Sequence, residues 1–303
     1  MIIGGAGFIG SHLVDTFLEN EYLVVVFDDF SKGKKDYFKS SGKLIIEEGD
    51  ILNKIALEQN IKRYKPELVY HLAAEHFIPA CENDPGHAIR VNIEGTQNIL
   101  DVCKNKVKKM VFTSTGAIYS PDITKSLSED SKIKTGDIYG ITKHTCEELI
   151  KYHTDKKRGK VIIARLFNAV GLRETNPHLL PEIMDQVKSG SRHIKLGNLF
   201  PKRDYIHVKD IAEALYLLGI SELEKSFDVY NIGSGIEYTV EELVNICSLI
   251  ISEEILVESV PEKRRKYDRP NQLANISKIK HNTGWKPKRS LKIAIQEIWD
   301  SLN

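Results

Sequence analysis

Tyr139 and Lys143 stand four residues apart at the start of a helical pattern, which puts both side chains on one helix face. A free phenol is a poor base, with a pKa of about 10. An ammonium beside it favours the phenolate and lowers that value toward neutrality. Such a tyrosine can take a proton from a hydroxyl group, while the lysine holds a neighbouring polar group in place. Upstream, an apolar run closes on three hydroxyls, Thr113, Ser114 and Thr115. At the end of a strand, Thr115 or Ser114 would be placed to bond the reacting oxygen.

A second set of residues implies what such a base would work beside. The chain opens MIIGGAGFIGSHL, with Gly4, Gly7 and Gly10 between a short apolar run and a helical pattern. A glycine turn there lets backbone approach a pyrophosphate, and Gly7, Phe8, Ile9 and Gly10 would present the N–H groups of a helix N-terminus to it. Residues 24–27 form a second apolar run that ends on Asp28. A carboxylate at that tip accepts from the adenosine ribose hydroxyls and repels a 2′-phosphate, which favours NAD over NADP. Asp29 and Lys32 follow in the same loop and count with the cofactor site, although Lys32 and Lys34 could also meet a 2′-phosphate. Only three residues precede Gly4, where a buried strand usually has about 5 or 6.

The elements that must position these groups follow an alternating rhythm. Strand-like runs fall at 1–4, 23–27, 44–47, 68–71, 110–114 and 161–166, and helical patterns at 9–19, 55–64, 88–105 and 139–153. Strands separated by helices predict a parallel sheet covered on both faces. After residue 168 the loops lengthen, and helices are expected at 179–189, 211–218, 240–251 and 291–302. The fold predicted is α/β: a Rossmann doubly wound parallel sheet with a smaller, interleaved C-terminal α/β substrate domain. The nucleotide domain would span 1–168, with 203–234 returning to it through strand-like runs at 203–208 and 228–233. Residues 169–202 and 235–303 would form the substrate domain.

Bulk properties exclude several classes. The 303 residues are 41% apolar and 28% charged with a formal net charge of +1, so no overall field recruits nucleic acid or an anionic membrane. No apolar run approaches the roughly 20 residues of a membrane span, and no signal peptide is evident. Cys81, Cys103, Cys146 and Cys247 lie far apart without a C-x-x-C pair. That pattern predicts neither a disulfide framework nor a metal site and fits a reducing, cytoplasmic compartment.

Taken together, the motifs resemble the extended short-chain dehydrogenase/reductase family, most closely its UDP-glucose 4-epimerase branch. The resemblance runs nearly end to end. It includes GGAGFIGSHL, Gly49-Asp50-Ile51, His71-Leu72-Ala73-Ala74, Val91-Asn92 with Gly95-Thr96, Thr113-Ser114-Thr115, the Tyr139/Lys143 pair, Arg165-Leu166-Phe167-Asn168 and Arg203-Asp204-Tyr205-Ile206-His207-Val208. It implies that Asp50 and Ile51 flank the adenine, that Leu72, Ala73 and Ala74 line the middle of the cofactor, and that Asn92 holds that strand edge. It places Thr113 and Phe167 near the nicotinamide end. Asn168 and Leu179 match positions that hold a nucleotide-sugar, and His178, counted with them, replaces a frequent Asn before Leu179. Arg203, Arg265 and Asp268 match a clamp on its diphosphate and ribose, as guanidinium and carboxylate chemistry allows.

The reaction implied is reversible epimerisation at C4 of a nucleotide diphosphate hexose through a 4-keto sugar, with Tyr139, Lys143 and Thr115 as the catalytic set. Departures narrow it. Family dehydratases carry Asp-Glu after the hydroxyl residue, where this chain has Gly116-Ala117, and Thr175 stands where some uronate-specific relatives have Arg. A neutral hexose or N-acetylhexosamine is therefore expected. The alternatives are a 4-keto-sugar reductase using the same residues, and a dinucleotide-bound protein without chemistry. The resemblance also implies a homodimer paired through 88–105 and 139–153.

Overall fold

Strand, glycine turn and helix open the chain as β1 (Ile2–Ile3) and α1 (Phe8–Glu19), followed by β2 (Val24–Asp28), β3 (Leu44–Glu48), α2 (Lys54–Tyr64) and β4 (Leu68–His71). Then come α3 (Ile78–Asn83), α4 (Pro85–Ile89), a π turn at Arg90–Glu94, α5 (Gly95–Cys103), β5 (Lys109–Thr115), α6 (Ile138–Thr154) and β6 (Lys160–Leu166). The later part carries β7 (Asn168–Val170), α7 (Leu179–Lys188), β8 (His193–Leu196), β9 (Arg203–His207), α8 (Val208–Ile220) and β10 (Phe227–Ile232). It closes with β11 (Glu237–Tyr238), α9 (Val240–Ile251), β12 (Leu256–Ser259), α10 (Ser277–Thr283) and α11 (Leu291–Leu302). This computed structural model describes residues 1–123, 125–154, 159–263 and 269–302.

Seven strands make one parallel sheet in the order β10-β6-β5-β4-β1-β2-β3. Alternation along each strand sends neighbours to opposite faces. Ile2, Tyr70, Val111 and Ile162 join one core with α1 and α8, while Ile3, Val69, Phe112 and Ile163 join the other with α2, α5 and α6. A sheet buried on both faces is the predicted doubly wound architecture. The order reverses between β1 and β4, so the crevice for a ligand opens at their carboxyl ends.

Two expectations differ from what forms. The pattern at 88–105 is not one helix: α4 ends at Ile89 and the π turn intervenes before α5. Of the two late strands expected to return to the large sheet, only β10 does so, beside β6. Residues 203–207 pair instead with β7 and β11 in a separate three-stranded sheet. That sheet begins one residue after β6 ends, with Phe167 between them. A third core, built from α7, α9, α11 and β8, lies beyond it.

Candidate active site

Helix α1 starts at Phe8 behind an N-cap, Gly7, that has no side chain to satisfy the free N–H groups of the first turn. Gly4 sits at φ +79°, and a Cβ on it would fall 2.3 Å from the amide nitrogen of Ala73. A Cβ on Gly10 would fall 2.2 Å from the Gly4 carbonyl oxygen. The two glycines therefore bring β1, β4 and α1 together with no room for side chains. The result is a turn whose open edge is backbone N–H, the donor set that a pyrophosphate needs.

Asp28 braces this turn. Its carboxylate accepts from the backbone N–H of Ala6 at 2.8 Å and of Phe30 at 2.9 Å, and burial pushes its pKa up. Each oxygen retains a second lone pair for a ribose hydroxyl. Asp29 accepts from the amide and hydroxyl of Ser31, so it folds the loop that carries Lys32. Asp50 accepts from the N–H of Leu52 at 2.8 Å, and Ile51 packs against Gly95.

These residues line one end of a cavity of about 1440 Å³ that also takes in Gly4, Gly7, Phe8, Ile9, Gly10, Leu72, Ala73, Ala74 and Thr113. The same cavity continues past Tyr139, Lys143, Thr115 and Phe167 to Asn168, His178, Leu179 and Arg203. Asn92 is the exception among the described predicted residues. It lies behind the wall, accepting from the N–H of Glu75 at 2.8 Å and donating to the Glu75 carbonyl at 2.9 Å and the Thr142 hydroxyl at 2.9 Å. Its side chain clamps the loop after β4. Arg265 and Asp268 lie outside the described residues.

At the junction of the two arms, the Tyr139 hydroxyl is hydrogen-bonded to Thr115. Thr115 is held in turn by the N–H of Ala117, which donates to its Oγ1 at 3.1 Å. Lys143 is 2% exposed, and its ammonium lies 4.2 Å from the Phe112 ring centroid. Electrostatics depart from the sequence reading. Burial drives the Tyr139 phenol up rather than down, with the Thr115 bond as the main opposing influence. Burial likewise holds the Lys143 ammonium down, to about 8. Desolvation outweighs mutual attraction because both groups are packed into the cavity wall, Lys143 almost wholly and Tyr139 in part, where each charged form is penalised.

Several residues that the motifs did not single out also belong here. The Arg269 guanidinium donates to the carbonyls of Tyr119, at 2.7 Å, and of Ala117, and so fixes the turn after Thr115. Asp137 accepts from the N–H of Gly140 at 2.7 Å at the start of α6. Arg203 donates to the Arg269 carbonyl at 2.8 Å, tying β9 to that segment, and Asn168 donates to the Asp204 carbonyl at 3.0 Å. Arg269 follows the basic cluster at 263–266, which was a visible signal; no spacing marked Asp137.

The model of the NAD dependent epimerase/dehydratase family matches residues 1–233. The chain belongs to that family. NAD is thus the dinucleotide for a cradle whose N–H edge and Asp28 carboxylate suit it. The UDP-glucose 4-epimerase of Corynebacterium glutamicum is 28% identical over 316 residues, covering 99% of this chain and 94% of that protein. The UDP-glucose 4-epimerase of Thermotoga maritima, solved with UDP-glucose, superposes with a TM-score of 0.89 at 29% identity, covering 99% and 96% of the two chains. That of Thermus thermophilus, solved with NAD, gives 0.89 at 28%, covering 99% and 97%. Among the described residues, no helix is long and apolar enough to cross a membrane.

Proposed function

We propose that this family member catalyses NAD-dependent epimerisation at C4 of a nucleotide diphosphate hexose through a transient 4-keto sugar. The substrate pair is UDP-glucose and UDP-galactose or their N-acetyl forms, as the names of its relatives suggest. One observation carries the reading: a hydroxyl pair, Tyr139 and Thr115, stands with Lys143 where the two arms of a single cavity meet. Bound in the N-terminal arm, NAD supplies a reversible acceptor for hydride. Tyr139 takes the C4 hydroxyl proton and returns it, Thr115 bonds the same oxygen, and Lys143 in the same wall offsets the phenolate charge.

The other arm positions the nucleotide. Arg203, Asn168, His178 and Leu179 line it, and Arg265 with Asp268 completes the proposed diphosphate and ribose clamp. Residues 169–202 and 235–303 form the substrate domain in this proposal, with β9 in its sheet. Gly116 and Ala117 offer no carboxylate for elimination or decarboxylation. Purified protein incubated with UDP-galactose and no added cofactor is expected to yield UDP-glucose. Tyr139→Phe is expected to lower kcat by about 10² to 10⁴ while NAD content stays the same; full turnover in that variant rejects the assignment.

The proposed homodimer pairs α4, α5 and α6 with their counterparts, since Ile89, Ile141 and Tyr152 are exposed there. A monomeric sedimentation profile would reject it. The four buried, unpaired cysteines support the proposed cytoplasmic location.

A further inference from the structure

Two loops approach each other over the cavity and bring together His76 and Glu174, which the reaction above does not use, with His178 from the edge of the nucleotide arm. His76 comes from the loop after β4, and Glu174 and His178 from the loop between β7 and α7; one ligand atom of each lies within 4.8 Å of the others. All three line the cavity. We infer that His76, Glu174 and His178 form a binding site for a divalent transition cation of the zinc, cobalt or nickel kind.

Two imidazoles and a carboxylate are the donor set that such ions take, and three protein ligands leave a coordination position open toward the cavity. Bond lengths of about 2.0–2.2 Å put tetrahedral ligands roughly 3.5 Å apart, so small side-chain rotations close the set. The His76 ring hydrogen-bonds the Ala74 backbone and also takes the Asn176 amide at Nε2, at 3.0 Å. A backbone partner on one ring nitrogen is the arrangement that orients metal-bound histidines, and Nε2 then faces the cluster. At His76 the ion displaces the Asn176 amide. The Glu174 Oε1 accepts from the N–H groups of Thr175, at 2.8 Å, and Asn176, at 3.1 Å, which orients the carboxylate.

Both loops are held in place. Asn92 pins Glu75, the residue before His76. His12 bonds the Leu172 carbonyl at 3.0 Å, and Arg173 pairs with Asp15 at 2.7 Å, which anchors the second loop to α1. The site is therefore built on supports rather than on two free ends. It escaped motif reading because its ligands come from loops about a hundred residues apart.

Untagged protein dialysed against Co²⁺ at neutral pH and desalted should retain one equivalent with visible ligand-field bands. Glu174→Gln, His178→Asn and His76→Asn should each weaken cobalt affinity at least tenfold and erase the thermal shift that cobalt gives the wild type. Asn176→Ala, which removes the competing amide, should retain the ion, as should His193→Asn, on the exposed β8 edge. Circular dichroism and NAD content report folding, and the three ligand variants fall on two loops, so one misfolded protein does not decide the test. Substoichiometric cobalt in the wild type, or bound cobalt that survives the ligand substitutions, overturns the site. The measurement does not depend on sugar turnover, so it stands or falls apart from the proposed reaction.

Discussion

The Thr142 hydroxyl accepts the amide of Asn92 at 2.9 Å and donates to the Tyr139 carbonyl at 2.9 Å. The π turn and the helical turn between Tyr139 and Lys143 are thereby tied to each other. Asn92 is 1% exposed; its bond to Thr142 is buried and its two bonds to Glu75 are half-buried. Asn92→Ala leaves the Glu75 N–H without its partner and the Glu75 carbonyl with only the Cys81 thiol, and should cost about 1–3 kcal/mol of stability. Thr142→Val cuts only the link to α6. It should lower kcat while KM for the nucleotide-sugar holds, because the clamp sets where the phenol points and not how the sugar is gripped. Steady-state kinetics beside urea unfolding of both variants checks this; an unchanged kcat in Thr142→Val rejects the positioning role.

Lys143 gives a pH signature. Its folded pKa is near 8 against an ordinary 10.5, so between those values the folded chain binds fewer protons than the unfolded one. Its burial penalty is full below pH 8 and fades as pH rises, so its contribution to stability increases through that window. Lys143→Met should flatten the slope. Melting temperatures of cofactor-free wild type and variant are compared from about pH 7.5 to about pH 9, where few tyrosines titrate in the unfolded chain. Parallel curves would contradict the shift.

Gly10→Ala drives a methyl group against the Gly4 carbonyl oxygen, 2.2 Å away. The atom it meets is backbone, so the turn itself must move. The expected cost is on the order of 1–3 kcal/mol, with loss of co-purifying NAD. Absorbance of the purified protein and its melting temperature report both; normal NAD content would show that the turn tolerates a side chain.

Arg165 and Glu147 form a two-pronged ion pair at 3.0 and 2.7 Å, each side chain 5% exposed. Glu147→Ala strands a guanidinium between β6 and α6, and about 3–5 kcal/mol should be lost. A loss below about 1 kcal/mol on chemical unfolding would mean that the Tyr119 hydroxyl and Glu129 carbonyl, which Arg165 also meets at 2.9 Å, suffice.

The nucleotide half was legible because its signals are local. Gly4 and Gly10 mark a turn without side chains, and the run at Val24–Asp28 reads as a buried strand in any context. The sugar half was less so. Asn168–Val170 is three residues long, and Arg203–His207 has the length and burial of a strand in either sheet, so nothing in it dictates pairing with β7. Tyr139 and Lys143 were visible by spacing, but the direction of the phenol's shift was not, because burial comes from residues far away in the chain. Asn92 was visible as a motif residue, yet only the fold shows that it faces Glu75 rather than the cavity. His76 and Glu174 carried no pattern at all.

Phe167 alone joins β6 to β7, and it is 4% exposed against Tyr119. With no slack at that joint, the two sheets behave as one casting rather than as jaws on a hinge. Traffic in and out must then rely on side chains and surface loops, and a single residue inserted there would turn the groups of β7, Asn168 to Val170, to the wrong side of their strand.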